Sequence, residues 1–415
     1  MDNVEEPAAP AREAASPSPA TNQPARRRVR WGQWGSRVAR GMLALLFVIG
    51  ALLSLVPQGR SVARAALLLP AFITASQPAP LLLMGEPIRH TQQTIASPAG
   101  PVYLDVYAPT TPTPLIPGAR EGVLVIPGVG DERQEPQLLN FSQSLARAGL
   151  VVMDMTTDTL ISNTLAPTDS DAVVEAYRAL ARWPGVTAKR VGILGFSAGD
   201  ALACLAAADP RIRQSVAFVA SFGGFFDAES LLADVGRRAQ VVNGRSQTWT
   251  PNPLTLQVLA NTMATALPSD QASLLTSAFE LGGSPLTPRQ IADLSPPAVA
   301  AYHLLQGDEP EQTADNVAAL SPQMRALLSA LSPRTVLAEM RAPIYLFHDQ
   351  TDPYVPFTQS RLFSAALNQS GHSHRYAELT IFAHTEVKAG LSIGPLIRDG
   401  SALFELLIGV LQLAS

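Results

Sequence analysis

A single cysteine, Cys204, stands in the 415 residues, so no disulfide can close within the chain and cysteine spacing says nothing of redox compartment. It falls seven residues after Ser197 on the inward side of a helical stretch and reads as core packing. Charge is scarce as well, at 15% of residues, and the balance is slightly acidic, −4 overall. That excludes the basic face a nucleic-acid partner would need. No phosphate-cradling glycine loop is present, because Gly128-Val129-Gly130 lacks the pattern and lysine that would have to follow it. His372 and His374 form an H-x-H pair without a third ligand, which reads as a solvated turn around Gly371. His90 and His303 sit in no motif. No metal and no cofactor is expected.

Apolar sequence is plentiful, at 47% of residues, enough for one large domain with appendages. Residues 1–37 join a Pro/Ala/Ser/Glu stretch to a cluster of arginines and predict a disordered basic tail. Residues 38–59 contain an uncharged run from Gly41, apolar from Met42 to Val56 and closed by Pro57. With arginines before it, this predicts a transmembrane signal anchor, its N-terminus cytoplasmic and the catalytic domain outside. Ala63-Arg64-Ala65 offers a signal-cleavage site as the alternative. Residues 60–99 read as a proline-broken apolar linker, interrupted at Pro70, Pro78 and Pro80. Were Ala65–Gly85 a second span, the catalytic domain would return to the cytoplasm.

From residue 100 apolar runs alternate with helical spacing. Val102–Tyr107, Val123–Ile126, Leu150–Met153, Val191–Leu194, Val216–Ser221, Ile344–Phe347 and Tyr376–Phe382 read as strands. Helical faces lie between them, including Leu138–Ala148 and a helix after Thr168 with a capping box to Asp171. This predicts an α/β class with a mostly parallel, doubly wound sheet over 100–226 and 342–415. Leu403–Leu413 reads as the closing helix. Residues 227–341 carry helical pieces such as Leu254–Ala266 and Ala314–Leu331 without strong strands, and predict a helical cap inserted over the site.

The chain is organised around Gly195-Phe196-Ser197-Ala198-Gly199. A buried strand precedes it and an Ala/Leu-rich helix follows, the context a nucleophile elbow requires. A serine hydroxyl needs a base, and the base an orienting carboxylate. Ser197, Asp352 and His384 occur in the order nucleophile, acid, base, each just past a strand end. Asp349 and Asp227 are the alternative acids, and His348 reads as a structural strand-end residue. The backbone N–H groups of Val129 and Ala198 are placed to hold an oxyanion.

Val173–Ala217, with Trp183-Pro184-Gly185 and Asp209-Pro210-Arg211, is similar to the dienelactone-hydrolase-like branch of the α/β-hydrolases. His348–Pro356 resembles the H-G-x-x-D-x-x-V-P pattern of that superfamily, which puts the acid at Asp352. The resemblance implies the α/β-hydrolase fold and cofactor-free cleavage of carboxylic esters or related acyl bonds. Ser197 stands where those hydrolases carry cysteine, and Asp200, Asp349 and Ala383 stand where glycines are usual. The expected function is a membrane-anchored serine hydrolase acting on a small acyl substrate. The alternatives are an acyltransferase with the same triad and a non-catalytic binding protein at the membrane. Asp200, a carboxylate three residues past the nucleophile, motivates the last.

Overall fold

Successive strand residues feed two different cores. In the strand Arg120–Ile126, Leu124 and Ile126 pack into one apolar cluster, Val123 and Val125 into another. That is the period-2 signature of a sheet covered on both faces. The computed structural model describes residues 57–73, 77, 79–110, 120–384, 386–388, 390 and 392–413. All of these lie within one compact unit, Leu52–Ser415.

In chain order the strands are β1 (Ile88–Ser97), β2 (Gly100–Pro109), β3 (Arg120–Ile126), β4 (Val151–Thr157), β5 (Val186–Phe196) and β6 (Val216–Phe222). Inside the cap follow β7 (Ala239–Val242) and β8 (Arg245–Thr248), and beyond it β9 (Ile344–Asp349) and β10 (His374–Leu379). The main sheet runs β1-β2-β4-β3-β5-β6-β9-β10. β1 and β2 are antiparallel, β2 is antiparallel to β4, and every other pairing in this sheet is parallel. This order, with a sharp turn from β5 into a helix, is the α/β-hydrolase fold. Helices Asp169–Ala181 and Ala198–Ala208 pack with one cluster, Pro136–Arg147 and Ile393–Leu413 with the other.

Several expectations need correction. Residues 60–99 are not a linker. Helix Pro57–Ile73 accommodates Pro70 and buries Ala65 and Leu68 in the same cluster as Leu403, Leu407 and Leu411 of the C-terminal helix. Burial of about 1.5–3 kcal/mol for such a leucine offsets much of the roughly 3 kcal/mol an internal proline costs a helix. Arg64 Nη1 donates to Glu121 Oε2 at 2.8 Å and fastens this helix to β3. β1, paired over its whole length with β2, also lies in the supposed linker.

The expected transmembrane segment 38–59 lies outside the described residues up to Val56, and its last three residues open the packed helix Pro57–Ile73. Among the described residues, no helix is long and apolar enough to cross a membrane. The 1–37 tail also lies outside them.

The cap enters between β6 and β9 as seven α-helices, two 3₁₀ turns and the β7–β8 hairpin among the described residues. Its expected helix over Ala314–Leu331 is two, Thr313–Ala319 and Pro322–Ala330, because Pro322 cannot continue the first. The capping box at Thr168 is absent. Asp169 instead accepts from Ala166 N–H at 2.8 Å and restrains the turn.

Candidate active site

β5 ends at Phe196, and Ser197 turns the chain into helix Ala198–Ala208 with φ 51° and ψ −126°. A positive φ on a residue with a Cβ costs of order 1–3 kcal/mol and persists only where its surroundings impose it. Here they do. Ser197 N–H donates to Phe222 O at 2.9 Å, tying the turn to the end of β6. A Cβ on Gly199 would lie 2.1 Å from Pro127 O, and one on Gly195 would lie 2.5 Å from Asp200 Cα. Both glycines are therefore required by close backbone approach.

The candidate acid and the candidate base lie side by side. His384 Nδ1 is 2.6 Å from Asp352 Oδ2. β10 ends at Leu379, earlier than expected, and His384 follows the two-residue strand Phe382–Ala383 with φ 64°. Asp352 Oδ1 accepts from Tyr354 N–H at 2.7 Å and Val355 N–H at 3.1 Å. Burial alone would raise the Asp352 pKa. The charge of the His384 ring and hydrogen bonding from His348 and His384 outweigh it and hold the carboxyl below the usual range.

The rival acids are otherwise employed. Asp349 Oδ2 accepts from Phe382 N–H at 2.9 Å, and its Oδ1 accepts from Lys388 Nζ at 3.0 Å. It thus braces the segment that carries His384. Asp227 caps helix Ala228–Arg237 and pairs with Arg334 at 2.8 Å. His348 Nε2 faces two acceptors, Val355 O at 2.9 Å and Asp352 Oδ2 at 3.4 Å, so it carries the proton, and Nδ1 accepts from Ser360 Oγ at 2.7 Å. It is a structural tie between strand end and acid loop.

Ser197 and His384 both line a cavity of about 250 Å³, together with Gly128, Val129, Glu132 and Tyr354. Among the described residues Ser197 Oγ has no hydrogen-bond partner, the ring included. Such bonds tighten on substrate binding. A Cβ on Gly128 would stand 3.4 Å from Ser197 Cβ, so the backbone leading into Val129 passes directly beside the serine. Val129 and Ala198 flank Ser197 in a second, apolar cavity.

Asp200 is buried under the elbow, where a Cβ on Gly224 would lie 2.0 Å from its Oδ2. Burial pushes its carboxyl up to about 7, against the neighbouring Ser221, Cys204 and His348. Cys204 Sγ, fully buried, donates to Asp200 Oδ1 at 3.5 Å. His372 follows the exposed turn at Gly371 as expected, whereas His374 opens β10, and both rings are half-buried. His372 Nε2 bonds Ala342 O at 2.8 Å and His374 Nε2 bonds Ser364 Oγ at 3.0 Å. Among the described residues no three His, Cys, Asp or Glu side chains are grouped to hold a metal ion.

Five residues went unread in the sequence. Tyr354 packs its ring on His384, centroids 4.6 Å apart. The cap holds three successive carbonyls of the acid loop. Trp249 Nε1 donates to Asp352 O at 2.8 Å, Asn252 N–H to Pro353 O at 2.7 Å, and Thr255 Oγ1 to Tyr354 O at 2.9 Å. Glu132 lines the cavity from the turn after β3. Only Tyr354 had a signal, its place inside the acid motif.

No family model matches the chain, and no curated protein matches it. Solved structures share its arrangement at low identity. One is dipeptidyl peptidase 4 of Porphyromonas gingivalis, 14% identical, covering 77% of this chain and 36% of that one at a TM-score of 0.43. Another is a puromycin-hydrolyzing peptidase of Mycobacterium tuberculosis, 17% identical, covering 78% and 39% at 0.47. A third is an esterase of Pyrobaculum calidifontis, 16% identical, covering 80% and 88% at 0.41. The chain thus spans well under half the length of the two peptidases, and most of that of the esterase.

Proposed function

We propose that the chain is a serine hydrolase that cleaves an acyl bond through an acyl-enzyme. The observation that carries this reading is the 2.6 Å contact of His384 Nδ1 with Asp352, with His384 itself facing a cavity that Ser197 also lines. With Nδ1–H held by the carboxylate, His384 Nε2 is left as the base. It takes the Ser197 proton as Oγ attacks the carbonyl carbon. The oxyanion is held by the N–H groups of Val129 and Ala198. As the tetrahedral intermediate collapses, the bond to the leaving group breaks and His384 returns the proton to that group. Water, activated by the same ring, then releases the acid and regenerates Ser197.

Asp200 gives no support to a non-catalytic reading. It lies beneath the elbow and burial keeps it protonated up to about pH 7, so it adds little charge where the oxyanion forms. The test is labelling by a fluorophosphonate with mass-spectrometric location of the adduct. Wild type should be labelled on Ser197 and the folded Ser197→Ala protein should not be. Equal labelling of both would falsify the assignment.

Membrane attachment through Gly41–Val56, with the catalytic domain outside, is a separate proposal supported by that uncharged run and the arginines before it. Full-length protein should stay with membranes after carbonate washing and be cut by protease added to intact cells. A chain starting at Pro57 should be washed free. Release of the full-length chain by carbonate would overturn attachment, and protection from protease would overturn the orientation.

A further inference from the structure

Two cavities meet at Ser197, and they differ in chemistry. The one of about 250 Å³ contains His384, Glu132 and Asn252. The other, about 60 Å³, is bounded by Ser197, Val129 and Ala198 and by the cap residues Leu231, Val258, Leu259 and Leu328. No charged side chain lines this second pocket. Its two threonine hydroxyls are already engaged, Thr255 Oγ1 donating to Tyr354 O at 2.9 Å and Thr262 Oγ1 accepting from Leu165 N–H at 3.1 Å. Apart from Ser197, the backbone around it and Tyr354, which the two cavities share, the pocket presents hydrocarbon.

We infer that this pocket receives the acyl chain, and that it selects an uncharged, apolar group of short length. The inference rests on the serine-hydrolase reading of the same site. His384 must deliver a proton to the leaving group, and it lines the polar cavity but not the apolar one. The leaving group therefore lies on the polar side. A carbonyl held between Val129 and Ala198 then directs its acyl chain into the cap. The volume of about 60 Å³ is well below the roughly 150 Å³ that holds a benzene ring, so the pocket takes only a short chain. A carboxylate or ammonium on the acyl chain would be buried there without a partner.

The test uses p-nitrophenyl acetate, butyrate, hexanoate, decanoate and hemisuccinate with the full chain. From acetate to the limit, kcat/KM should rise about threefold to fourfold per methylene, as each is buried. Decanoate should fall at least tenfold below hexanoate, and the hemisuccinate should be poorer than butyrate. Val258→Phe, which fills the pocket, should lower the hexanoate-to-acetate ratio at least tenfold. Val258→Ala, a milder change, should move the optimum to a longer chain. Decanoate matching hexanoate, or ratios unmoved by Val258→Phe, overturns the inference.

A second measurement separates it from the catalytic reading. Hexanamide should bind folded Ser197→Ala protein at least tenfold more tightly than acetamide by calorimetry, and lose that advantage when Val258→Phe is added. Equal binding of the two amides overturns the pocket whatever the turnover. No ester turnover and no fluorophosphonate labelling, with chain-length-dependent amide binding intact, overturns the serine-hydrolase reading alone.

Discussion

His384 Nδ1 stands 2.6 Å from Asp352 Oδ2, while Asp349, only three residues earlier, is committed to Phe382 and Lys388. The two carboxylates therefore make opposite predictions. Asp352→Asn removes the acceptor that fixes the ring tautomer, and kcat should fall by about 10³–10⁴ with the fold retained. Asp349→Asn leaves the triad intact but weakens the brace on the His384 segment. It should cost about 1–3 kcal/mol of stability and much less activity. Ester turnover and urea midpoints on both variants decide the matter; a greater loss of kcat in Asp349→Asn would reverse the assignment.

The cap's grip on the acid loop makes a second prediction. Trp249 Nε1 donates to the Asp352 carbonyl from more than a hundred positions away in sequence. Trp249→Phe keeps most of the ring and deletes this one donor, leaving a buried carbonyl short of a partner. A net cost near 1 kcal/mol corresponds to about fivefold. If that bond positions Asp352, the loss should appear in kcat with KM nearly unchanged. A change confined to KM would mean that the tryptophan serves only the shape of the cap.

What could be read from the sequence follows burial. β3, β5, β6 and β9 are covered on both faces and appear as short continuous apolar runs. β1 is an edge strand with alternating exposure, and its outer residues, among them Arg89, His90 and Gln92, dilute the pattern to that of a loop. Helix Pro57–Ile73 was hidden by Pro70, which only tertiary packing excuses. Within the site, the elbow was legible because its glycines are dictated by close backbone approach, Gly195 to Asp200 and Gly199 to Pro127 and Ile126. The choice between Asp349 and Asp352 depends on which way a loop turns. Trp249 and Glu132 reach the site through long-range folding, and no local spacing marks them.

The N-terminal helix offers a third prediction. Arg64 pairs at 2.8 Å with Glu121, which is 1% exposed at the start of β3. Arg64→Ala would leave that carboxylate buried without its charged donor, a loss of about 2–3 kcal/mol. Adding Glu121→Gln should recover part of it, because the stranded charge is gone. Urea denaturation of the single and double variants reads both effects. A single-variant loss below about 0.5 kcal/mol would match an exposed ion pair and a helix that is only loosely docked.

Asp200 provides a prediction in pH. Its carboxyl is raised to about 7, first by burial, against the opposing influence of Ser221, Cys204 and His348. In the unfolded chain an aspartate titrates near 3.9. Between about pH 4 and 7 the native protein thus keeps a proton that the unfolded chain has released. Stability must then fall as pH rises through that window and level off above it. About three pH units at 1.36 kcal/mol each set an upper bound near 4 kcal/mol. Asp200→Asn preserves the neutral shape and abolishes the titration. Against wild type, the variant should gain stability steadily from pH 4 to 7 and hold a constant advantage of roughly 2–4 kcal/mol beyond. Every other titrating group contributes equally to both proteins, so the difference between their urea midpoints isolates this one carboxyl. A difference that stays flat from pH 4 to 8 would mean that Asp200 ionises in the native state at its ordinary pKa, and that the elbow tolerates a charge beneath the nucleophile.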